Sequence, residues 1–381
     1  MSANKRIQSL EGLRGIMIFL IVLSHMEFLR RCSFGGTYDL YWHNPTLAVD
    51  YFFLLSGFGM MYSFLKHGGL STTGGVDVHL ISIGFAKTKV RKLYPLYAIT
   101  MLAFVPMMFV QGLLHGKSLL MNLGGIVAKG VLCAPLVQSA FGMTRLSHAF
   151  NGVCWFLSTL VLIYLMSPWL MVRVAKMRRI GLALLGVPVL VAVLQTILAA
   201  VDARVSFLDD LAYGSPYMRV WFVIYGMVLG RVIFAWRKRN HVPAWLPRAE
   251  IAAAMLCIGW FFLRNTFVGM GAAGGALRLV DVALCAGLLF TLSFERGCVS
   301  RLLERPRFMR LGHLAMYIYL IHYLLRMYWE PVVMKRLLGN QAGVYGDVIG
   351  IVSVVLIVAL TMLLSIAWDR YRRTRQVAGG A

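Results

Sequence analysis

The sequence predicts an all-α, polytopic integral membrane bundle of about ten transmembrane helices. Three observations carry that prediction. Of the 381 residues, 59% are hydrophobic and only 14% are charged; with a mean hydropathy of +0.73 this excludes an ordinary soluble globule. Apolar runs of about 17 residues or more, long enough for a helix to cross hydrocarbon, recur along the whole chain. Finally, the formal net charge of +23 is broken into short basic clusters between those runs, as the positive-inside rule predicts. That dispersal argues against nucleic acid as a partner and for the lipid bilayer.

The first span runs from about Leu10 to Leu29 behind Lys5 and Arg6, and no small-residue cleavage site follows it, so it reads as retained. The second covers 47–65, and the third 93–114 after a long polar connection. Leu119–Val137 is apolar but carries Lys129, paired glycines and Pro135. If it crosses, every later basic loop moves to the outside. The expectation is therefore a re-entrant or interfacial segment at 119–137, with spans at 152–172, 180–200, 219–236, 249–264, 278–294, 313–331 and 345–368. Both termini then lie in the cytoplasm, and residues 369–381 form a basic cytoplasmic tail. No connection is long enough for a separate catalytic domain, and no repeat is evident, so 1–381 reads as one domain. The six cysteines show no ligand spacing and read as small buried apolar residues; no metal site is visible.

Polar residues inside spans are expensive and point to function. Arg14 and His25 lie eleven residues apart in the first span, on one face and about 16 Å apart by helix rise. The alternative is that Arg14 snorkels and His25 bonds to a neighbouring helix. Asp50, near the outer end of the descending second span, has a similar depth, so its carboxylate is expected to orient His25 and raise its basicity; an interfacial Asp facing water is the other reading. Ser56, Gly57 and Phe58 place small residues between aromatics, for close helix approach or for passage of a thin ligand. Lys87, Lys89, Arg91 and Lys92 form a cationic cluster suited to phosphate or to topology alone. Asn151 and Trp155 open the fourth span from outside. A late span carries His313, Tyr317, Tyr319 and His322.

These segments together resemble the membrane acyltransferase 3 family, bacterial enzymes that acylate surface and secreted carbohydrates. The family's "LdGLRG" followed by an apolar run ending in histidine is matched by Leu10-Glu11-Gly12-Leu13-Arg14-Gly15 through Ser24-His25. An acid-then-"FFxLSGF" pattern is matched by Asp50 through Phe58. A basic stretch ending in "R-I-x-P-x-Y" is matched by Lys92 through Tyr97, with lysines at 89 and 92 where arginine is usual. The late "LGxxSYxxYLxH" is matched at Leu311, Gly312, Tyr319, Leu320 and His322, with Ala315 and Met316 replacing Ser-Tyr. The match runs from about residue 7 to residue 325.

The resemblance implies transfer of an acyl group, usually acetyl, from cytoplasmic acyl-coenzyme A to a hydroxyl of an extracytoplasmic carbohydrate or glycolipid. Lys89, Arg91 and Lys92, with Arg14, would hold the nucleotide phosphates. The pantetheine arm would pass Ser56, Gly57 and Phe58 to reach His25, acting as general base or nucleophile and oriented by Asp50. Asn151, Trp155, Tyr319 and His322 would bind the acceptor. The competing class is a secondary transporter with a His/Asp/Arg proton relay, against which stand the absence of a repeat and the clustering of cations at one face.

Overall fold

The computed structural model describes residues 7–69, 82–239, 242–269, 274–331 and 344–378; Lys5 and Arg6 lie outside them. Among the described residues every regular element is a helix. In chain order these include α1 (Gln8–Ser24), α2 (Gly35–Tyr41), α3 (Thr46–Lys66), α4 (Ile83–Val90), α5 (Tyr94–Ala103), α6 (Val105–Leu114) and α7 (Leu119–Cys133). They continue with α8 (Trp155–Lys176), α9 (Ile180–Arg204), α10 (Pro216–Lys238), α11 (Leu246–Gly269) and α12 (Gly274–Leu292). The last are α13 (Cys298–Leu303), α14 (Pro306–Trp329) and α15 (Val344–Ala378).

Among the described residues eight helical stretches are long and apolar enough to cross a membrane, including α8, α9, α10, the joined α5–α6 and most of α15. Two further helices, α1 and α14, occupy predicted spans but interrupt their apolar residues with Arg, His or Tyr. The surface confirms the solvent. Leu185, Val189 and Val193 on α9, Met255 and Leu263 on α11, and Val355 and Leu363 on α15 face outward. Charged Asp50, Arg219, Arg278 and Asp281 are buried. An apolar exterior around a charged interior is the arrangement hydrocarbon requires.

The third predicted span is broken at Phe104. Pro106, the second residue of α6, has no N–H to donate, and α5 ends at the preceding turn. Beyond it α7 folds back. Asn122 Nδ2 donates to the Phe109 carbonyl at 2.7 Å, and at the other end Tyr97 donates to the Cys133 carbonyl at 2.5 Å. The helix has 15 residues, about 22 Å by rise, short of the ~30 Å of hydrocarbon. The chain then enters α8 at the same level, where Ser158 Oγ donates to the Leu136 carbonyl at 2.9 Å.

Two helix contacts organise the interior. Helices α3 and α10 pack against each other through Gly57 and Gly226. A Cβ on Gly57 would collide with the Val223 carbonyl, and one on Gly226 with the Leu54 carbonyl. Helices α1 and α14 do the same at Gly15 and Gly312, where a Cβ on Gly312 would collide with the Glu11 carbonyl. Small residues permit this backbone approach where no hydrophobic force separates helix from lipid. Five of the six cysteines are buried, as expected of small apolar side chains; Cys298 is exposed.

Candidate active site

The glycine contact between α1 and α14 sets their register, and the register assembles the site. The helices run in the same direction, with Gly15 against Gly312. Ten residues further along each chain, about 15 Å by helix rise, stand His25 and His322. His322 Nε2 lies 3.4 Å from His25 Nδ1, and the ring centroids are 5.2 Å apart. The His25 ring also meets the Tyr323 ring edge-on at 5.5 Å. His322 is fully buried.

Backbone carbonyls assign the protons. His25 Nδ1 lies 2.8 Å from the Ile21 carbonyl, and His322 Nδ1 lies 3.0 Å from the Ile318 carbonyl. A carbonyl oxygen only accepts, so each Nδ1 carries the hydrogen when the ring is neutral. His322 Nε2 is then a lone pair facing the His25 Nδ1–H, and His25 Nε2 is left as a free base. A proton arriving at His25 Nε2 would create an imidazolium whose Nδ1–H already faces two acceptors. Beyond the pair, Arg326, one turn after His322, bridges Glu27 at 3.1 Å and Glu330 at 2.7 Å, tying the end of α14 to the chain that leaves α1.

Below the histidines lies a cavity of about 640 Å³. Arg14, Lys66, His67 and Lys89 line it on the side of the helix ends, and Phe52, Phe156, Leu157 and Met316 on its apolar side. Ser56 and Phe58 are in its wall, with the Ser56 hydroxyl donating to the Phe52 carbonyl at 2.9 Å. Arg14 is paired with Glu11 at 3.3 Å, and Lys89 covers the Phe85 ring at 5.1 Å. Met316 precedes His322 by six residues, about 9 Å of rise. Rings fill that interval: Phe156 meets Tyr319 at 5.5 Å, and Tyr319 meets His322 at 6.0 Å.

Several expected site residues fall elsewhere. Asp50 does not orient His25. Its carboxylate accepts from Arg219 and from Arg278, the latter at 2.7 Å, and matching depth did not bring it to the imidazole because α3 turns that face toward α10 and α12. Gly57 is not part of the cavity wall, being buried in the α3–α10 contact. Arg91 and Lys92 are exposed and do not line the cavity, since α4 ends at Val90 and the chain turns away; the Lys92 carbonyl accepts from Arg372 at 2.8 Å. Asn151 and Tyr319 fasten the start of α8 to α14, through Asn151 Nδ2 to the Leu320 carbonyl at 2.9 Å and Tyr319 to the Val153 carbonyl at 2.5 Å. Trp155 is buried 5.2 Å from the Tyr213 ring.

The buried ion cluster around Asp50 was only half visible in the sequence. Arg278 also reaches Gln195 at 3.0 Å, and Asp281 takes Arg264 at 2.9 Å and the Trp260 indole at 2.7 Å. Arg219 is enclosed by the rings of Phe53, Trp155, Tyr213 and Phe222 at 4.8–5.7 Å. The available signal was the presence of Arg219, Arg278 and Asp281 inside apolar spans, where a lone charge demands a partner.

An apolar-surfaced helical bundle with an imidazole pair above a cation-bearing cavity defines an integral membrane protein equipped for proton or group transfer. The chain belongs to the acyltransferase 3 family: the family model described as an acyltransferase domain matches residues 7–368. This makes the protein a membrane acyltransferase. No curated protein and no solved structure matches it.

Proposed function

We propose that this acyltransferase moves an acyl group, acetyl in the simplest case, from acyl-coenzyme A to a carbohydrate hydroxyl on the other side of the membrane. The observation that carries the reading is the alignment of one cavity with one base. The 640 Å³ cavity is lined by Arg14, Lys66 and Lys89 on one side and by apolar residues on the other, matching a donor with phosphates at one end and a thin arm at the other. The positive-inside distribution of the basic loops supports a cytoplasmic placement of the cationic side. His25 lies beyond the apolar end, outside the lining.

In this reading His25 Nε2 removes the proton from the acceptor hydroxyl as its oxygen attacks the thioester carbonyl. The carbon–sulfur bond breaks, and the departing thiolate takes the proton from His25 Nε2, so the enzyme ends as it began. His322 accepts from His25 Nδ1 throughout and holds the ring, the role a carboxylate fills in other catalytic arrangements. Phe156 lines the cavity and meets Tyr319, which meets His322, so this ring pair lies along the route the thioester would take to His25.

The test is acyl transfer from labelled acetyl-coenzyme A to extracted surface glycans by the purified protein. The reading expects label on a sugar hydroxyl with wild type and none with His25→Ala. Acyl transfer undiminished in His25→Ala would refute it. Intact-mass analysis of enzyme and donor alone checks the step: an acyl adduct on the protein would make His25 a nucleophile instead.

A further inference from the structure

A second cavity lies between α14 and α15, at the end of the bundle that carries the basic tail. Its volume is about 430 Å³, and Arg310, His313, Asp369, Arg370 and Arg373 line it. The residues from each helix share a face: 310 and 313 are one turn apart on α14, and 369, 370 and 373 fall at helical spacing on α15. Asp369 is engaged by His313 at 3.0 Å and by Arg373 at 2.7 Å. Among the described residues the guanidinium groups of Arg310 and Arg370 have no ion-pair partner. Three arginines against one aspartate leave two uncompensated positive charges.

Leu314 and Ile366 also line the cavity. On α15 the exposed Leu363 lies seven residues before Arg370, on the cup's side of the helix, with exposed Leu360 one turn further from the cup. The Trp368 and Tyr371 rings, 5.6 Å apart, sit on the turn that carries the cup, with Tyr371 exposed. Trp and Tyr at the end of an apolar span mark the headgroup level. The cationic cup therefore opens at the depth of lipid phosphates, with an acyl-chain-compatible surface running from it into the hydrocarbon.

We propose that this cavity binds the headgroup phosphate of an anionic phospholipid, with Arg310 and Arg370 on the phosphate and the acyl chains along the outer face of α15. Basic pockets between spans are suited to such headgroups. A soluble phosphate would satisfy the arginines but leave the adjoining apolar face unused, so the lipid is the occupant the surface fits. The site is separate from the histidine pair, and the inference does not depend on the acyl-transfer reading.

The experiment titrates full-length protein in neutral detergent with dioleoylphosphatidylglycerol, dioleoylphosphatidylcholine or inorganic phosphate, reading bound lipid by native mass spectrometry and melting temperature in parallel. Wild type is expected to retain the phosphatidylglycerol and melt higher with it, and to respond to neither other ligand. The exposed pair Arg310→Gln/Arg370→Gln is expected to weaken binding roughly 10- to 30-fold. Arg178→Gln/Arg179→Gln, which removes the same charge from another exposed loop, is expected to bind as wild type does. Equal weakening in both double variants would overturn the site in favour of diffuse attraction, and stabilisation by inorganic phosphate alone would overturn the lipid assignment. If the first double variant is not monodisperse, Arg370→Gln alone decides, with unchanged binding counting against the proposal.

Discussion

His25 and His322 are separated by 297 positions, and so are Gly15 and Gly312. Two parallel helices locked at their glycines must meet again at their histidines, and the imidazoles do meet, at 3.4 Å. The short glycine motifs of the first and late spans are the register marks of this imidazole pair.

The pair is expected to act as a unit. His25→Ala removes the base and abolishes acyl transfer. His322→Ala removes only the acceptor behind His25 Nδ1 and is expected to lower the rate about 10²- to 10⁴-fold. The double variant should be no slower than His25→Ala, because groups acting through one proton are not additive. Single-turnover rates for the three variants check this.

Gly312→Ala tests the register. The added Cβ meets a backbone carbonyl, Glu11 O, which has no side-chain freedom to yield. The expected cost is about 1–3 kcal/mol, read as a lower melting temperature, with a loss of activity as the histidines separate. Gly287→Ala, which meets nothing within 4 Å, is the control and should leave both unchanged.

Asp50→Ala tests a structural role against a catalytic one. It leaves Arg219 and Arg278 buried without their shared carboxylate, and breaking a buried pair costs about 3–5 kcal/mol. The variant should lose monodisperse protein on detergent extraction. A variant that extracts and melts like wild type yet has no activity would return Asp50 to the chemistry.

The cavity predicts which cations matter for the donor. Arg14→Gln and Lys89→Gln each remove a lining cation and are expected to raise the KM for acetyl-coenzyme A roughly tenfold, the worth of one charge-assisted hydrogen bond. Lys92→Gln, outside the cavity, should leave KM unchanged. Initial rates across donor concentration separate the two.

The loop before α8 carries a pH response. Burial pushes His148 below the ordinary imidazole value of 6.5, while burial pushes the nearby Asp210 carboxyl above 3.8; Ser147 Oγ bridges them, at 2.9 Å from His148 Nδ1 and 2.6 Å from the Asp210 carboxylate. With its folded value depressed, His148 favours unfolding as pH falls below 6.5, because the unfolded chain takes up the proton first. Asp210 has the opposite sign and loses stability as pH rises above 3.8. Wild type is therefore expected to lose stability on acidification from pH 7 through 6.5, and His148→Gln to flatten that limb of a melting-temperature profile.

The sequence by itself determined the class of fold, the helical spans and the family. Each follows from one-dimensional patterns: apolar run length, the distribution of Lys and Arg, and motifs such as Leu10–Gly15 and Asp50–Phe58. It also singled out His25 and Arg14, because an ionisable side chain in an apolar span is costly wherever the span packs. What it left open was partnership. Asp50 and His25 share a depth, but which face of α3 meets which neighbour depends on the Gly57–Gly226 contact, and that turns Asp50 to Arg219 and Arg278. His322 was visible as a polar residue in a late span, yet its position beside His25 required two helices 297 residues apart to lock at Gly15 and Gly312. Lys89 was separated from Arg91 and Lys92 by the end of α4, a boundary their shared charge conceals. Run length and charge are properties of the chain and act locally; the pairing of buried groups is decided by interhelical packing, which only the tertiary structure displays.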